Sequence, residues 1–146
     1  MTEPQEVIHE RFDTADHQRT GHIYVARSHS EDSQLAQFEH LHKIGYTTNS
    51  PDDRVAGAAT DDTFLNAPAS LVDSYEMPAD YAKRVETVLH DFFSEVRLDV
   101  WYDDGPSARE WFNVPPNAIT EAIELIGTEQ LANYRYNPES AQVELI

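Results

Sequence analysis

Five side chains that could act together on a phosphate ester occur in order along the sequence. They are Tyr24, Lys43, Arg54, Glu86 and His90. Hydrolysis of a phosphodiester needs an oriented water molecule, a partner for its proton, and positive charge close to the phosphate. A phenol, two cations, a carboxylate and an imidazole contain the groups for these tasks. These residue types could serve such chemistry if the fold brings the distant segments together.

Two short strands are expected to carry Tyr24 and Lys43. Residues 22–27 and 41–47 are short segments with β-branched and aromatic side chains, which is typical of strands. Strands that follow one another in sequence usually pair. We therefore expect a hairpin across the polar loop 29–40.

Arg54 is expected on a short helix after the second strand. Ser50 is a good N-cap residue, and Pro51 suits the first helical position. The polar residues that follow Thr60 predict an end near Ala59. Arg54 would then lie in the first turns of this helix.

The longest predicted helix runs from Pro78 to about Phe93 and carries Glu86 and His90. Its apolar residues recur at the spacing of an amphipathic helix. They are Tyr81, Val85, Val88, Leu89 and Phe92. Residues three, four and seven apart share a helix face, so Glu86, His90 and Phe93 should line one edge of the stripe.

The remaining pattern predicts an α/β (α+β) fold with a small, mostly antiparallel central sheet of three or more strands flanked by helices. Further strands are expected at 69–76 and 96–102, with a turn at 103–107, a helix from Pro115 to Ile126, and a last strand near Val143. The expected organisation is a polar leader at 1–20 that is mobile or loosely docked, one domain at 21–127 and a C-terminal extension at 128–146.

The motifs around these residues resemble those of the GIY-YIG nuclease superfamily. Residues 22–24, His-Ile-Tyr, correspond to its first triplet, and residues 43–45, Lys-Ile-Gly, correspond to its second. The resemblance is greatest to a phage-associated branch with Lys-Ile-Gly, a Glu-x-x-Leu-His helix and a Glu-Trp-Phe segment. The last two correspond to residues 86–90 and 110–112. The ordered set covers roughly residues 21–126.

The resemblance implies a metal-dependent endonuclease that cleaves DNA through a single displacement by water. Tyr24 would orient or deprotonate that water, and Arg54 would bridge phosphate oxygens with its forked guanidinium. Glu86 would hold one Mg²⁺ or Mn²⁺, since Mg²⁺ is commonly bound by one or two carboxylates with water and substrate phosphate. Lys43 stands where the wider superfamily has tyrosine. It could contact phosphate, act as a base with a lowered pKa, or be a solvated strand lysine.

Other residues have weaker assignments. His90 could support the metal, contact phosphate or be purely structural, and Glu86 could instead pair with Lys83. Gly45 could permit a close approach or mark a bulge. Gly45, Arg97 and Asn113 are candidate substrate contacts. The sequence also departs from the wider superfamily at Ala58, where a histidine or tyrosine often follows the arginine by four residues.

Charge is the main argument against binding to DNA. The chain has 27 Asp and Glu against 10 Lys and Arg, a formal net charge of −17. Such a field repels polyanions at long range. Either the acids face away from a local basic site, or the source is salt-tolerant and the acids keep the protein soluble.

Composition also limits the compartment and chemistry. The absence of cysteine excludes disulfides and thiolate sites. No apolar run is long enough to span a membrane, and the acidic N-terminus lacks a signal-peptide pattern. These features predict a cytoplasmic protein. His40 and His42 suggest a zinc site, but no third ligand has suitable spacing.

Two other functions remain open. A degenerate nuclease domain could bind nucleic acid or protein without cleavage. An acidic interaction domain, such as a DNA mimic, would have no basic patch around Arg54. The sequence leaves the oligomeric state and the preferred DNA structure open.

Overall fold

A five-stranded antiparallel sheet organises the protein. The computed structural model describes residues 19–102 and 105–146, without the side chains of 33–34, 62, 99–102 and 105–109. The strands are β1 (Thr20–Ser28), β2 (Leu41–Thr47), β3 (Ala69–Pro78), β4 (Arg97–Tyr102) and β5 (Gly105–Asn113). Their order is β3-β1-β2-β5-β4. The predicted α+β class and mostly antiparallel sheet are confirmed.

The predicted hairpin of β1 and β2 lies at the centre of this sheet. The two strands are antiparallel and pair from His22–Thr47 to Ala26–Lys43. Tyr24 therefore lies directly opposite Gly45. The connection between the strands contains one short helix, α1 (Ser33–Ala36), where we expected only a loop. The predicted leader at 1–20 lies outside the described residues except for its last two.

Helix α2 (Pro51–Ala56) begins where its sequence predicts. The Ser50 hydroxyl accepts a hydrogen bond from the Asp53 N–H, and Pro51 occupies the first turn. The helix ends three residues earlier than predicted. Gly57 follows it, and the chain continues in two short 3₁₀ turns, Ala58–Thr60 and Asp62–Phe64.

Helix α3 (Ala79–Phe92) confirms the long amphipathic helix. Val85 and Leu89 are buried, as the apolar stripe predicts, whereas Val88 is exposed. Helix α4 (Pro116–Gly127) buries Ile119 against the same core. After it, a 3₁₀ turn (Leu131–Asn133) leads to a hairpin of β6 (Tyr134–Asn137) and β7 (Gln142–Leu145). Only the second of these strands was predicted.

The two faces of the large sheet have different coverings. Helices α3 and α4 and the small hairpin cover what we call the helix-covered face, where Ile23, Val25, Ile44 and Phe112 meet one apolar cluster. Helix α2 and the 3₁₀ turns cover the opposite, turn-covered face. Its buried cluster consists of Tyr24, Ala26, Val55, Ala58, Phe64 and Trp111.

Residues 110–112, Glu-Trp-Phe, lie in a strand that was not predicted. They belong to the nine-residue strand β5, which begins at Gly105 within the predicted turn. Trp111 and Phe112 are both fully buried, as expected for core residues, but in the two different clusters. Successive strand residues point to opposite faces, so this strand contributes to both layers.

Candidate active site

Tyr24 and Gly45 fit together across the central hairpin. The Tyr24 ring lies directly over Gly45, where an added Cβ would overlap the ring and the hydroxyl group and would lie 2.7 Å from Cε1. Gly45 therefore permits a close approach, as one of its two interpretations predicted. Tyr24 is only 1% exposed, and burial raises the pKa of its phenol well above the ordinary value although Arg54 lowers it in part. The phenol stays protonated at neutral pH.

Lys43 lies at the junction of β2 and β5. Lys43 pairs with Trp111, and this is the last of the three residue pairs that join β2 to β5. Its ammonium donates to Glu110 Oε1 at 2.9 Å. The Lys43 side chain is 0% exposed, so the solvated-lysine interpretation is wrong. Burial lowers the pKa of Lys43, and the Glu110 carboxylate opposes that shift.

Arg54 projects from α2 onto the 3₁₀ turns. Its guanidinium makes a short ion pair with Asp61 and donates to Thr63 Oγ1 at 3.1 Å. Partial burial raises the pKa of Asp61, but hydrogen bonds from Thr63 and Arg54 outweigh it and lower the pKa to about 2. Asp61 therefore remains ionised and fixes one edge of Arg54.

Phe64 connects the three groups on this face. Its fully buried ring stacks on Tyr24, with centroids 6.1 Å apart and planes 12° apart. The Lys43 ammonium lies 4.6 Å from the ring centroid, and Arg54 Cζ lies 4.9 Å from it. Such cation–π contacts hold both cations beside one aromatic ring. The Trp111 indole N–H donates to Thr63 O at 2.9 Å and anchors the turn that carries Phe64.

Two carboxylates and an imidazole converge on the other side of Lys43. One potential ligand atom each from Glu86, His90 and Glu110 lies within 4.8 Å of the others, and all three residues are half-buried. Burial, reinforced by the Glu110 carboxylate, raises the pKa of Glu86 to about 7, although Lys43 and Lys83 lower it in part. Among residues 19–102 and 105–146, no ion pair joins Glu86 to Lys83, which was the alternative expected from the sequence.

His90 has a defined orientation in this cluster. Its Nε2 lies 2.8 Å from the Ile44 carbonyl oxygen, which can only accept, so Nε2 carries the proton. The imidazole also packs against the Phe112 ring, with centroids 5.0 Å apart. Burial lowers the pKa of His90, and the bond to Ile44 opposes that shift. A neutral imidazole is the form that binds metals.

The charged groups form one electrostatic unit around Tyr24. Arg54, Glu110, Glu86 and Asp61 all act on its phenol through their charges. The Lys43 ammonium lies 5.9 Å from the Tyr24 ring centroid, and His90 lies beside Glu86. The structure therefore brings Tyr24, Lys43, Arg54, Glu86 and His90 together.

Arg97 and Asn113, two of the predicted substrate contacts, differ in position. Arg97 is the first residue of β4 and pairs with Phe112. Its charge contributes to lowering the pKa of His90, so Arg97 borders the cluster of Glu86, His90 and Glu110. Asn113 pairs with Leu41, and its Oδ1 accepts from the His40 N–H at 3.0 Å. That bond secures the start of β2, and the structure does not bring the Asn113 side chain into the cluster.

The histidine pair considered for zinc has a structural environment. His42 Nδ1 lies 2.8 Å from the His40 carbonyl oxygen and 2.9 Å from that of Val114. Both acceptors occupy the nitrogen that a metal would use on that side of the ring. In the described part of the chain, three potential ligands converge only at Glu86, His90 and Glu110.

Sequence reasoning missed Glu110, Asp61 and Phe64. Glu110 was noted only as part of the Glu-Trp-Phe motif, although a charged residue beside two aromatic residues was itself a signal. Asp61 and Phe64 lie in irregular turns, where no periodicity indicates which way a side chain points. Only their contacts with Arg54 and Lys43 reveal their position.

The residues present fit a divalent cation. Burial and, after it, the neighbouring Glu110 carboxylate raise the pKa of Glu86, and a cation between the two carboxylates would relieve their repulsion. Carboxylate oxygens are the ligands that Mg²⁺ prefers, whereas imidazole also suits transition metals.

Comparison with known proteins finds a relative that matches part of the chain. Within the described residues, no helix has the length and apolar character needed to cross a membrane. The uncharacterized protein YeeC of Bacillus subtilis (strain 168) is 38% identical over 81 residues, which cover 56% of this chain and 21% of that protein. This chain thus spans about a fifth of that relative's length. No solved structure gives a significant match.

A family comparison covers most of the chain. The model of the T5orf172 domain matches residues 21–127, from the start of the first triplet to the end of α4. The T5orf172 family is linked to endonuclease-like proteins. Since the match covers more than half of the sequence, the chain belongs to the T5orf172 domain family.

Proposed function

We propose that the protein is a metal-dependent endonuclease that hydrolyses DNA phosphodiester bonds. The observation that carries this proposal is the convergence of Arg54 and the Glu86 cluster on the Tyr24 phenol, with the Lys43 ammonium 5.9 Å from the Tyr24 ring centroid. Cations and carboxylates that meet in a partly buried site, with strongly shifted pKa values, are typical of catalytic centres. The family's link to endonuclease-like proteins supports the same reaction class.

Arg54 would bind the scissile phosphate. Its side chain is 31% exposed, and Asp61 and Thr63 engage only two of its nitrogens. A guanidinium fixed on one side can present its remaining donors to two phosphate oxygens. Asp61 and Thr63 would thus orient Arg54 before substrate binds, and less conformational freedom would be lost on binding.

Tyr24 and Lys43 would act as the buried residues of the site. Because burial raises the pKa of Tyr24, we assign its hydroxyl to the orientation of the attacking water and not to its deprotonation. Lys43 is inaccessible to solvent, so its ammonium would orient Glu110 and add positive charge to the site without contacting the substrate. These roles refine the direct contacts expected from the resemblance.

Glu86 would hold the divalent ion, Mg²⁺ or Mn²⁺. Such an ion supplies positive charge to the phosphate and a fixed position for its oxygens. In the reaction, the water oxygen bonds to phosphorus and the bond from phosphorus to the leaving oxygen breaks. The net result transfers a water proton to that leaving oxygen. Arg54 would stabilise the charge that develops on the phosphate.

Nicking of supercoiled plasmid DNA tests this function. The native protein, Glu86→Gln and Arg54→Lys would be compared with Mg²⁺, with Mn²⁺ and with a chelator, over a range of salt concentrations. We expect metal-dependent nicking that falls at least about a hundredfold in either variant. Exposed residues provide matched controls, Glu121→Gln on α4 and Arg135→Lys on β6, which should retain activity.

Two outcomes would contradict the proposal. Folded native protein could fail to nick DNA at every salt concentration, which would favour a binding module without catalysis. Alternatively, both site variants could match the exposed controls, which would locate any activity elsewhere.

A further inference from the structure

His90 has the arrangement that a metal-binding histidine requires. A ligating imidazole usually donates its second N–H to a carbonyl or carboxylate, which fixes the tautomer and the ring orientation. His90 Nε2 donates to the Ile44 carbonyl at 2.8 Å. Its lone pair is therefore on Nδ1. The Phe112 ring, 5.0 Å away between centroids, restricts rotation of the imidazole.

Glu86 and Glu110 approach His90 from two different elements. Glu86 lies one helical turn before His90 on α3, and Glu110 comes from β5. Potential ligand atoms of the three residues lie within 4.8 Å of one another. Ligands bound at about 2.1 Å lie roughly 3 to 4 Å apart, so small side-chain rotations would close the set around one ion.

Lys43 leaves one oxygen of Glu110 for this ion. Its ammonium binds Oε1 from the buried side, and the Glu110 side chain is 35% exposed. Oε2 can then serve as a ligand while Lys43 continues to orient the carboxylate. Without an ion, the same ammonium offsets part of the negative charge of the two glutamates.

We propose that Glu86, Glu110 and His90 Nδ1 form one divalent-cation site whose imidazole selects Mn²⁺ over Mg²⁺. The proposal takes the location of the metal from the proposed function, and it extends the single Glu86 ligand to three residues from α3 and β5. Imidazole suits transition metals, whereas Mg²⁺ prefers carboxylate, carbonyl and water oxygens. The selectivity therefore depends on His90 and the affinity on all three residues.

Direct metal binding tests this proposal without any cleavage assay. Free Mn²⁺ would be measured by electron paramagnetic resonance in titrations of the native protein, and Mg²⁺ by displacement of bound Mn²⁺. We expect one Mn²⁺ per chain, bound at least about tenfold more tightly than Mg²⁺. His90→Gln should lower the affinity for Mn²⁺ by about tenfold or more and the affinity for Mg²⁺ by much less, which removes the selectivity. His40→Gln is a control with a half-buried histidine outside the cluster.

Glu110→Gln provides an independent variant, because its amide oxygen can still accept from Lys43. Glu110→Gln should lower the affinity for both Mn²⁺ and Mg²⁺ by at least about tenfold. The proposal is overturned if His90→Gln binds Mn²⁺ like the His40→Gln control, if Glu110→Gln binds like native protein, or if Mg²⁺ binds as tightly as Mn²⁺. Selective Mn²⁺ binding without DNA nicking would support this site and contradict the proposed function. DNA nicking by the native protein, with unchanged metal binding in His90→Gln and Glu110→Gln, would support the proposed function and contradict this metal site.

Discussion

The two faces of the central sheet are buried to similar depths but by different chemistry. On the helix-covered face, α3 and α4 bury aliphatic and aromatic side chains such as Ile23, Ile44 and Ile119. On the turn-covered face, the buried residues include the Tyr24 phenol and the Lys43 ammonium. Apolar burial stabilises a fold directly, whereas a buried charge costs free energy unless it is paired. The apolar core of the helix-covered face therefore stabilises the fold directly, whereas the buried Lys43 ammonium depends on its ion pair with Glu110.

The largest expected effect on stability comes from the helix-covered face. Ile119→Ala would leave a cavity in the apolar cluster of the helix-covered face, since Ile119 is fully buried. We expect the free energy of unfolding to fall by about 3 kcal/mol. Chemical denaturation measures this change. DNA nicking below the unfolding transition should remain near native, and a large loss of activity in folded Ile119→Ala protein would contradict the division between the faces.

Gly45→Ala should change both stability and chemistry. The added Cβ would overlap the Tyr24 ring, which must then move away from Gly45. Overpacking of this kind lowers the free energy of unfolding by about 2 kcal/mol. Displacement of the phenol should also reduce the rate of nicking by more than about tenfold. Gly57→Ala is the matched control, because nothing lies within 4 Å of its added Cβ. Equal behaviour of the two variants would show that Tyr24 does not depend on Gly45.

A smaller and pH-dependent effect is expected at Asp61. Its folded-state pKa of about 2 lies below the ordinary value of 3.8, so ionised Asp61 stabilises the fold above pH 3.8. This contribution is lost as pH falls through about 2. We expect Asp61→Asn to be less stable at pH 7 by about 1 kcal/mol, with a difference that shrinks on acidification. Denaturant titrations at several pH values measure this, and a constant difference would contradict the assigned ion pair.

The contrast between the faces also explains how far the sequence could predict the molecule. Helix α3 was predicted closely because Val85 and Leu89 recur at helical spacing, and the central hairpin because its strands are short and rich in β-branched and aromatic residues. The site residues Tyr24, Arg54 and Glu86 were identified through motifs and not through periodicity.

Other parts of the site depend on contacts that no local pattern contains. Glu110 reaches Lys43 because β5 pairs with β2, which joins residues far apart in the sequence. Phe64 reaches three site residues from an irregular turn that Trp111 anchors. Both positions follow from the tertiary fold, and hydrophobic patterning alone could not predict them.

The most direct test of this account is the stability of Glu86→Gln without metal. Burial raises the pKa of Glu86 from 4.5 to about 7, so its ionisation destabilises the fold as pH rises through about 7. Glutamine keeps the shape of the neutral side chain and carries no charge. Denaturant unfolding in a chelator at about pH 8 should therefore show Glu86→Gln to be more stable than the native protein, by on the order of 1 kcal/mol. A less stable Glu86→Gln would contradict the account, because Glu86 would then be a structural ion-pair partner and not a carboxylate held for a cation.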